Sequence, residues 1–216
     1  MKKVIISIFL ILFCTGSVWS LDFEETKKLA ELGDSKSQYF LGLMYNAGEG
    51  VPQDYNKSVY WYTQSAEQGF PGAQGMLGSM YYKGEGVPQD YKKSVYWYTK
   101  SAEQGNSKEQ YNLGIKYFNG KGVPQDYKKA VFWYTKSAEQ GNSSAQYNLG
   151  IMYFDGKGVP QNYKIAYVWE SLAAAQGQKD AIKNRDIYIK ELTPQQLNEA
   201  QELASKIQYK IDNLTK

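Results

Sequence analysis

A repeat of 36 residues constrains the fold of this chain more than any other feature. The octapeptide Gly-Glu-Gly-Val-Pro-Gln-Asp-Tyr at 48–55 returns at 84–91, 120–127 and 156–163, where only its second and seventh residues vary. A tryptophan follows each copy at a constant distance: Trp61, Trp97, Trp133 and Trp169. Repeats of this length are typical of stacked helix pairs, so we predict an all-α solenoid. Solenoids usually present extended binding surfaces, which favours a binding function.

A nearly invariant set of residues predicts the first helix of each repeat, which we call helix A. The set is Gln, Leu, Gly and Tyr at offsets 0, 3, 4 and 7, beginning at Gln38, Gln74, Gln110 and Gln146. These offsets share one face of an α-helix, and we expect that face to be buried. Glycine inside a helix costs roughly 0.5–1 kcal/mol relative to alanine, so its recurrence predicts a close neighbour. Asn106 and Glu109 are expected to form a capping box at the start of the third helix A.

The second helix, helix B, is predicted between a polar cap and a glycine. The caps are Asp54, Asp90, Asp126 and Asn162, and the glycines are Gly69, Gly105, Gly141 and Gly177. Side-chain oxygens at such positions accept hydrogen bonds from the first free N–H groups of a helix. The apolar positions of helix B cover a wide face, which indicates contact with two neighbouring helices.

The period also predicts how the chain is divided. The segments are an export signal at 1–20, an N-terminal capping helix at 21–33, repeats at 34–69, 70–105, 106–141 and 142–177, and C-terminal capping helices at 178–216. Lys2 and Lys3, the apolar run 4–13 and the small residues before Leu21 are typical of a cleaved signal. We therefore expect export to the periplasm or the medium, with no membrane anchor after cleavage, because the run is too short to span a bilayer.

Composition excludes several functional classes. The chain has no histidine, and its one cysteine, Cys14, lies in the predicted signal. Cys-His pairs, Ser-His-Asp triads and histidine-ligated zinc are therefore impossible in the mature chain. Arg185 is the only arginine, and without Lys2 and Lys3 basic and acidic residues nearly balance, which argues against nucleic acid as a partner. We predict a protein that is not an enzyme and needs neither cofactor nor metal.

The repeated residues resemble a known family. Leu-Gly-x-x-Tyr, Gly-x-Gly-Val-Pro-Gln-Asp-Tyr, Trp-Tyr and Ser-Ala-Glu-Gln-Gly are similar to the Sel1-like repeats, relatives of the tetratricopeptide repeats. The resemblance implies a right-handed α-solenoid whose helices A line the concave side, and a role in protein–protein interaction, often at the bacterial envelope. Some secreted members are cysteine-rich and are linked to penicillin binding. This chain lacks those cysteines and any Ser-x-x-Lys, so that activity does not transfer.

Variable positions on helix A predict a binding groove. Where neighbouring positions repeat, these differ in character along the stack: Phe40, Met44, Met76, Met80, Asn112, Lys116 and Asn148. The groove would be apolar at its N-terminal half and polar further on, which suits a peptide or protein segment. Asn112 and Lys116 could hold a carboxylate or peptide backbone. Two alternatives remain open at this point: Met44 and its equivalents belong to the core, and the polar residues form a solvated face.

Two other functions remain as alternatives. Cell-wall binding, to peptidoglycan or another glycan, would need exposed rings, and Tyr82, Phe118 and Phe154 are the candidates. A cell-wall-active enzyme would need a paired acid and base. No pair of carboxylates stands out in the repeat pattern, so the interaction module is the favoured prediction.

Overall fold

The computed structural model describes residues 22–214, which form a stack of helices without a β-strand. Helices A are α2 (Ser35–Ala47), α4 (Pro71–Lys83), α6 (Ser107–Asn119) and α8 (Ser143–Asp155). Helices B are α3 (Tyr55–Glu67), α5 (Tyr91–Glu103), α7 (Tyr127–Ala138) and α9 (Tyr163–Ala175). The ends are α1 (Phe23–Glu31), α10 (Lys179–Tyr188), a 3₁₀ turn (Ile189–Glu191) and α11 (Pro194–Leu214). The predicted all-α solenoid is confirmed, while the predicted export signal lies outside the described residues.

The conserved octapeptide builds the turn from helix A to helix B. Helix α2 ends at Gly48, whose φ of 75° is left-handed and favours glycine. Gln53 Nε2 donates back to the Asn46 carbonyl oxygen at 2.7 Å, which satisfies a free acceptor at the helix end. Asp54 then accepts from the Lys57 backbone N–H at 3.0 Å and starts α3. The same contacts recur in the later repeats, so every helix pair keeps one geometry.

In the first three repeats the helix A glycine allows a tyrosine ring of helix B to lie directly on the helix A backbone. A Cβ built on Gly42 would lie 2.6 Å from the ring of Tyr62, and one on Gly114 would lie 2.5 Å from that of Tyr134. Real Cβ atoms do not approach other carbons so closely. The close approach predicted from the recurring glycine is therefore confirmed, and the neighbour is helix B of the same repeat.

A glutamine clamp joins each repeat to the one before it. In α6, Gln110 Nε2 donates to the Ala102 carbonyl oxygen at the end of α5 at 3.0 Å. Gln110 Oε1 accepts from Gln140 Nε2, after α7, at 2.7 Å. Equivalent bonds run from Gln38, Gln74 and Gln146. The invariant glutamine thus satisfies an otherwise free carbonyl at a helix end while packing two repeats together.

Removing this clamp should destabilise the stack. Gln110 is 5% exposed, so Gln110→Ala leaves the Ala102 carbonyl without its partner and is expected to cost about 1–3 kcal/mol of unfolding free energy. Urea denaturation measures the loss. Lys108→Ala in the same helix is the control, because Lys108 is exposed and outside the clamp, so its replacement should cost under about 0.5 kcal/mol. Equal losses in the two variants would contradict a specific role for Gln110.

The predicted capping box at α6 is wrong. Asn106 makes no side-chain hydrogen bond at the helix start, and Glu109 is turned into the interface with the second repeat. Its carboxylate lies against Gly75, the position at which the other repeats carry Tyr39, Tyr111 and Tyr147. Because Gly75 has no ring, the Glu109 side chain fills that space and does not cap the start of α6.

Candidate interaction groove

Successive helices A border a groove, which we call the helix A groove. Between the third and fourth repeats it contains a cavity of about 240 Å³. The cavity is lined by Tyr111, Ile115, Phe118, Asn119, Tyr134, Asn148, Ile151 and Met152. Aromatic and aliphatic side chains form most of this lining, and the two asparagines add amide groups that can donate and accept hydrogen bonds. Such a lining suits an aliphatic side chain attached to a hydrogen-bonding backbone.

Four of the predicted site residues occupy the equivalent position on successive helices A. Phe40, Met76, Asn112 and Asn148 are all half-buried, so part of each side chain remains accessible. Met76 packs beside the core of the first two repeats, and Asn148 lines the cavity described above. Their positions on α2, α4, α6 and α8 are equivalent, and they form one row along the stack.

Met44 and Met80 are core residues, so little of either side chain is accessible to a partner, although the equivalent Met152 borders the cavity between α6 and α8. They are 6% and 1% exposed, and Met80 Sδ lies 3.8 Å from the hydroxyl of Ser58 in α3. The physical reason is that Met44 follows the buried Leu41 by three residues and so shares its face of the helix. Helix A therefore buries a wider stripe than its invariant residues indicated, because it contacts both helix B and the next repeat.

Lys116 occupies the same position in the third repeat and is also buried, at 6% exposed. Its Nζ lies 3.3 Å from the centroid of the Tyr82 ring, a close cation–π contact. Burial, followed by the nearby Lys121 charge, lowers the pKa of Lys116 to about 8. The predicted pairing of Lys116 with Asn112 on an open face is therefore not supported, because this ammonium group is enclosed between repeats.

Lys121, in the turn after α6, supplies a more accessible cation than Lys116. Its Nζ donates to Tyr82 Oη at 3.3 Å and lies 4.2 Å from the centroid of the Tyr91 ring. Hydrogen bonds to Tyr91 and Tyr82 raise the pKa of Lys121. The second and third repeats thus hold a charged ammonium group beside two tyrosines, where a carboxylate of a partner could bind.

Glu109 is a buried acid at this interface that the repeat pattern did not predict. Glu109 is 5% exposed, and its Oε2 has no hydrogen-bond partner among the described residues. Burial is the main cause that raises the pKa of its carboxyl. Two substitutions in the repeat pattern could have predicted it. Glycine replaces tyrosine at Gly75, and glutamate replaces alanine or serine at Glu109.

The rings considered for glycan binding take part in packing. Tyr82, Phe118 and Phe154 are half-buried and lie against Tyr91, Tyr127 and Tyr163, with centroid distances of 5.4, 5.3 and 5.2 Å. Phe154 is also stacked on Tyr188 at 4.2 Å. These contacts cover part of each ring face, which weighs against flat stacking on a sugar.

No cluster of three acidic, histidine or cysteine side chains in residues 22–214 is arranged to hold a metal ion. No helix in the same range combines the length and hydropathy needed to cross a membrane.

Comparison with known proteins identifies the family. The Sel1 repeat model matches residues 35–70, 71–106, 110–142 and 143–178, which is more than half of the chain. The chain therefore belongs to the Sel1 repeat family, as its motifs predicted. Proteins built from Sel1 repeats are generally protein–protein interaction modules without enzymatic activity.

Solved structures of bacterial proteins show the same architecture. A protective antigen of uropathogenic Escherichia coli is 36% identical, with 90% of this chain and 41% of that chain covered and a TM-score of 0.77. A Sel1 repeat protein from Oxalobacter formigenes is 37% identical, with 80% and 50% covered and a TM-score of 0.71. The chain thus spans half or less of the length of either protein. A search of curated proteins gave no match.

Proposed function

We propose that this chain is a non-enzymatic module that binds a peptide or protein segment in the helix A groove. The observation that carries the proposal is the cavity between α6 and α8, where Asn148 lies among aromatic and aliphatic side chains. An aliphatic side chain of the partner enters the cavity, and Asn112 and Asn148 bind its backbone. Lys121, in the turn after α6, then pairs with an acidic residue of the same segment.

The proposed site differs from the sequence-based one in its chemistry. Phe40 and Met76 still provide apolar contacts at the N-terminal end, but Met44, Met80 and Lys116 do not take part, because they are buried. The groove is therefore selective for a segment with separate apolar and acidic positions. Residues 1–20 have the pattern of an export signal, and this pattern supports proteins of the envelope or the surrounding medium as the proposed partners. The proposed partners do not include nucleic acid or a membrane.

Substitution in the groove should weaken partner binding without unfolding the protein. The change is Asn112→Ala with Asn148→Ala, or Met76→Glu alone. Met76 packs against the core of the first two repeats and Asn148 hydrogen-bonds to Tyr134, so the melting temperature should fall by a few degrees while each variant stays folded at the temperature of the binding assay. Affinity capture from envelope and medium fractions, followed by titration of the recovered partner, should show a loss of affinity of roughly tenfold or more.

Lys100→Ala with Lys136→Ala is the control on helix B, because both lysines are exposed on the other helix of the repeat. This pair should leave partner affinity unchanged. Capture that survives both groove substitutions but is lost in the helix B pair would overturn the proposal. Retention of the protein on purified peptidoglycan, unaffected by groove substitutions, would favour the cell-wall alternative instead.

A further inference from the structure

A row of exposed aromatic rings lies on the outer side of helices B. Tyr60, Tyr96 and Phe132 are 56%, 54% and 51% exposed, although large rings are usually better covered. Each ring packs edge-on against the tryptophan that follows it, with centroid distances of 4.9, 5.0 and 5.0 Å. The three positions are equivalent in successive repeats, so the rings follow one another along the outer side of the stack, and we call them the aromatic row.

The fourth repeat shows what covers the equivalent position. Val168 stands where the earlier repeats have Phe132, Tyr96 and Tyr60, and it is fully buried. It belongs to the same core as one face of α11. That face consists of Ala200, Leu203, Ala204, Ile207 and Ile211, which follow helical spacing. An amphipathic helix therefore already binds at this position within the molecule.

The surface around Val168 that α11 covers, which we call the α11 seat, has other features that recur in the earlier repeats. Lys164 Nζ forms an ion pair with Glu199 Oε2 at 2.9 Å at one end of the contact. At the other end, Ile211 lies over Gly141, where a Cβ would be 2.9 Å from its side chain. One repeat earlier, Lys128 and Gly105 occupy the equivalent positions. A Cβ on Gly105 would meet nothing within 4 Å, so that end of the surface is open.

One difference between the α11 seat and the earlier repeats indicates the charge of the partner. Leu172, which is buried in the α11 seat, is replaced by Lys136 in the third repeat and Lys100 in the second. These lysines lie over the rings, with Nζ 5.9 Å from the Phe132 centroid and 5.8 Å from the Tyr96 centroid. The aromatic row thus has an apolar floor and a more basic rim than the α11 seat. Such a surface complements acidic groups beside an apolar helix face.

We propose that the aromatic row on repeats one to three is a second docking surface, which binds an amphipathic helix with acidic flanks from another protein. The helix packs against Tyr96 and Phe132 as α11 packs against Val168. An acidic residue in its first turns pairs with Lys128 or Lys92, as Glu199 pairs with Lys164. The aromatic row is separate from the helix A groove, so the outcome of its test leaves the proposed function of the groove unaffected.

The test uses the full chain and a labelled peptide with the sequence of α11, Pro194–Leu214, as the probe. Fluorescence anisotropy should show saturable binding to the wild type. Tyr96→Glu should weaken it by roughly tenfold or more, because it removes an apolar contact and adds an anion facing an acidic helix. Lys128→Glu should also weaken binding, and a peptide with Glu199→Lys should recover much of the loss. The melting temperature reports whether each variant folds.

Two controls separate this surface from the others. A peptide with Leu203→Asp and Ile207→Asp should not bind, and the groove pair Asn112→Ala with Asn148→Ala should bind the intact peptide normally. Absence of saturable binding to the wild type would overturn the proposal. Binding that does not depend on Tyr96 would place the peptide at the α9 seat and would also overturn it. A dimer dissolved by Tyr96→Glu in sedimentation would assign the row to a second copy of this chain instead.

Discussion

Replacing Gly114 with leucine is expected to unfold the third repeat or to lower the stability of the whole stack severely. Even a Cβ at this position would lie 2.5 Å from the Tyr134 ring, which is itself 2% exposed and cannot move into solvent. Overpacking of a well-packed core typically costs about 1–3 kcal/mol, and a full leucine side chain against a helix backbone exceeds that range. Urea denaturation followed by circular dichroism measures the change.

A double substitution tests whether the clash with the Tyr134 ring causes the destabilisation. Gly114→Ala alone should destabilise because of the clash, and Tyr134→Ala alone because of a cavity that costs about 3–5 kcal/mol. The combined variant should lose less than the sum, since removing the ring makes room for the methyl group. Additive losses would show that Gly114 and Tyr134 do not constrain each other, and the packing described for helices A and B would then be incorrect.

Glu170→Gln is expected to stabilise the protein most at high pH. Glu170 replaces the tyrosine of earlier repeats, is fully buried against Gly150, and accepts a hydrogen bond from Asn184 at 3.0 Å. Burial raises the pKa of this carboxyl to about 8. Glutamine keeps the acceptor for Asn184 and carries no charge at any pH, so it removes the cost of burying a carboxylate.

The direction of this pH dependence follows from the number of protons bound in the folded and unfolded states. An unfolded glutamate titrates near pH ~4.3, so between about pH 5 and 8 the folded state keeps a proton that the unfolded state has lost. Stability should therefore fall as pH rises through this window, by at most on the order of 1 kcal/mol per pH unit. Urea melts at pH 5, 7 and 9 should show a flatter profile for Glu170→Gln. Glu103→Gln, on the exposed face of α5, should follow the wild type; a parallel profile for Glu170→Gln would refute the buried-acid account.

The repeat predicted the fold well because its signals are local and occur four times. Gly48 and Asp54 mark the turn by their own backbone and capping preferences, so no distant contact is needed to interpret them. Gly114 predicted a close neighbour for the same reason. What these patterns could not give was the identity of that neighbour, since the Tyr134 ring reaches it from another helix.

The candidate site was harder to predict because burial depends on contacts between repeats. Met44 and Lys116 stand at the same repeat position, and the sequence does not show that both are covered, Met44 beside the turn that follows α2 and Lys116 by the Tyr82 ring of the preceding repeat. The tryptophans recur at one packing offset, yet Trp133 is partly buried while Trp169, which borders a cleft with α11, is buried. Exposure along helices B is thus determined by a terminal helix that lies outside the repeats.

The central claim, that a partner binds in the helix A groove, is tested most directly by methionine methyl NMR. With ¹³C-methyl methionine, the half-buried Met76 reports on the groove, and the buried Met44 and Met80 report on the adjacent core. Adding the captured partner should shift or broaden the Met76 signal while leaving those of Met44 and Met80 nearly unchanged. Saturation with partner while the signals of Met76 and of Met152, which borders the cavity, both stay in place would contradict binding in the groove.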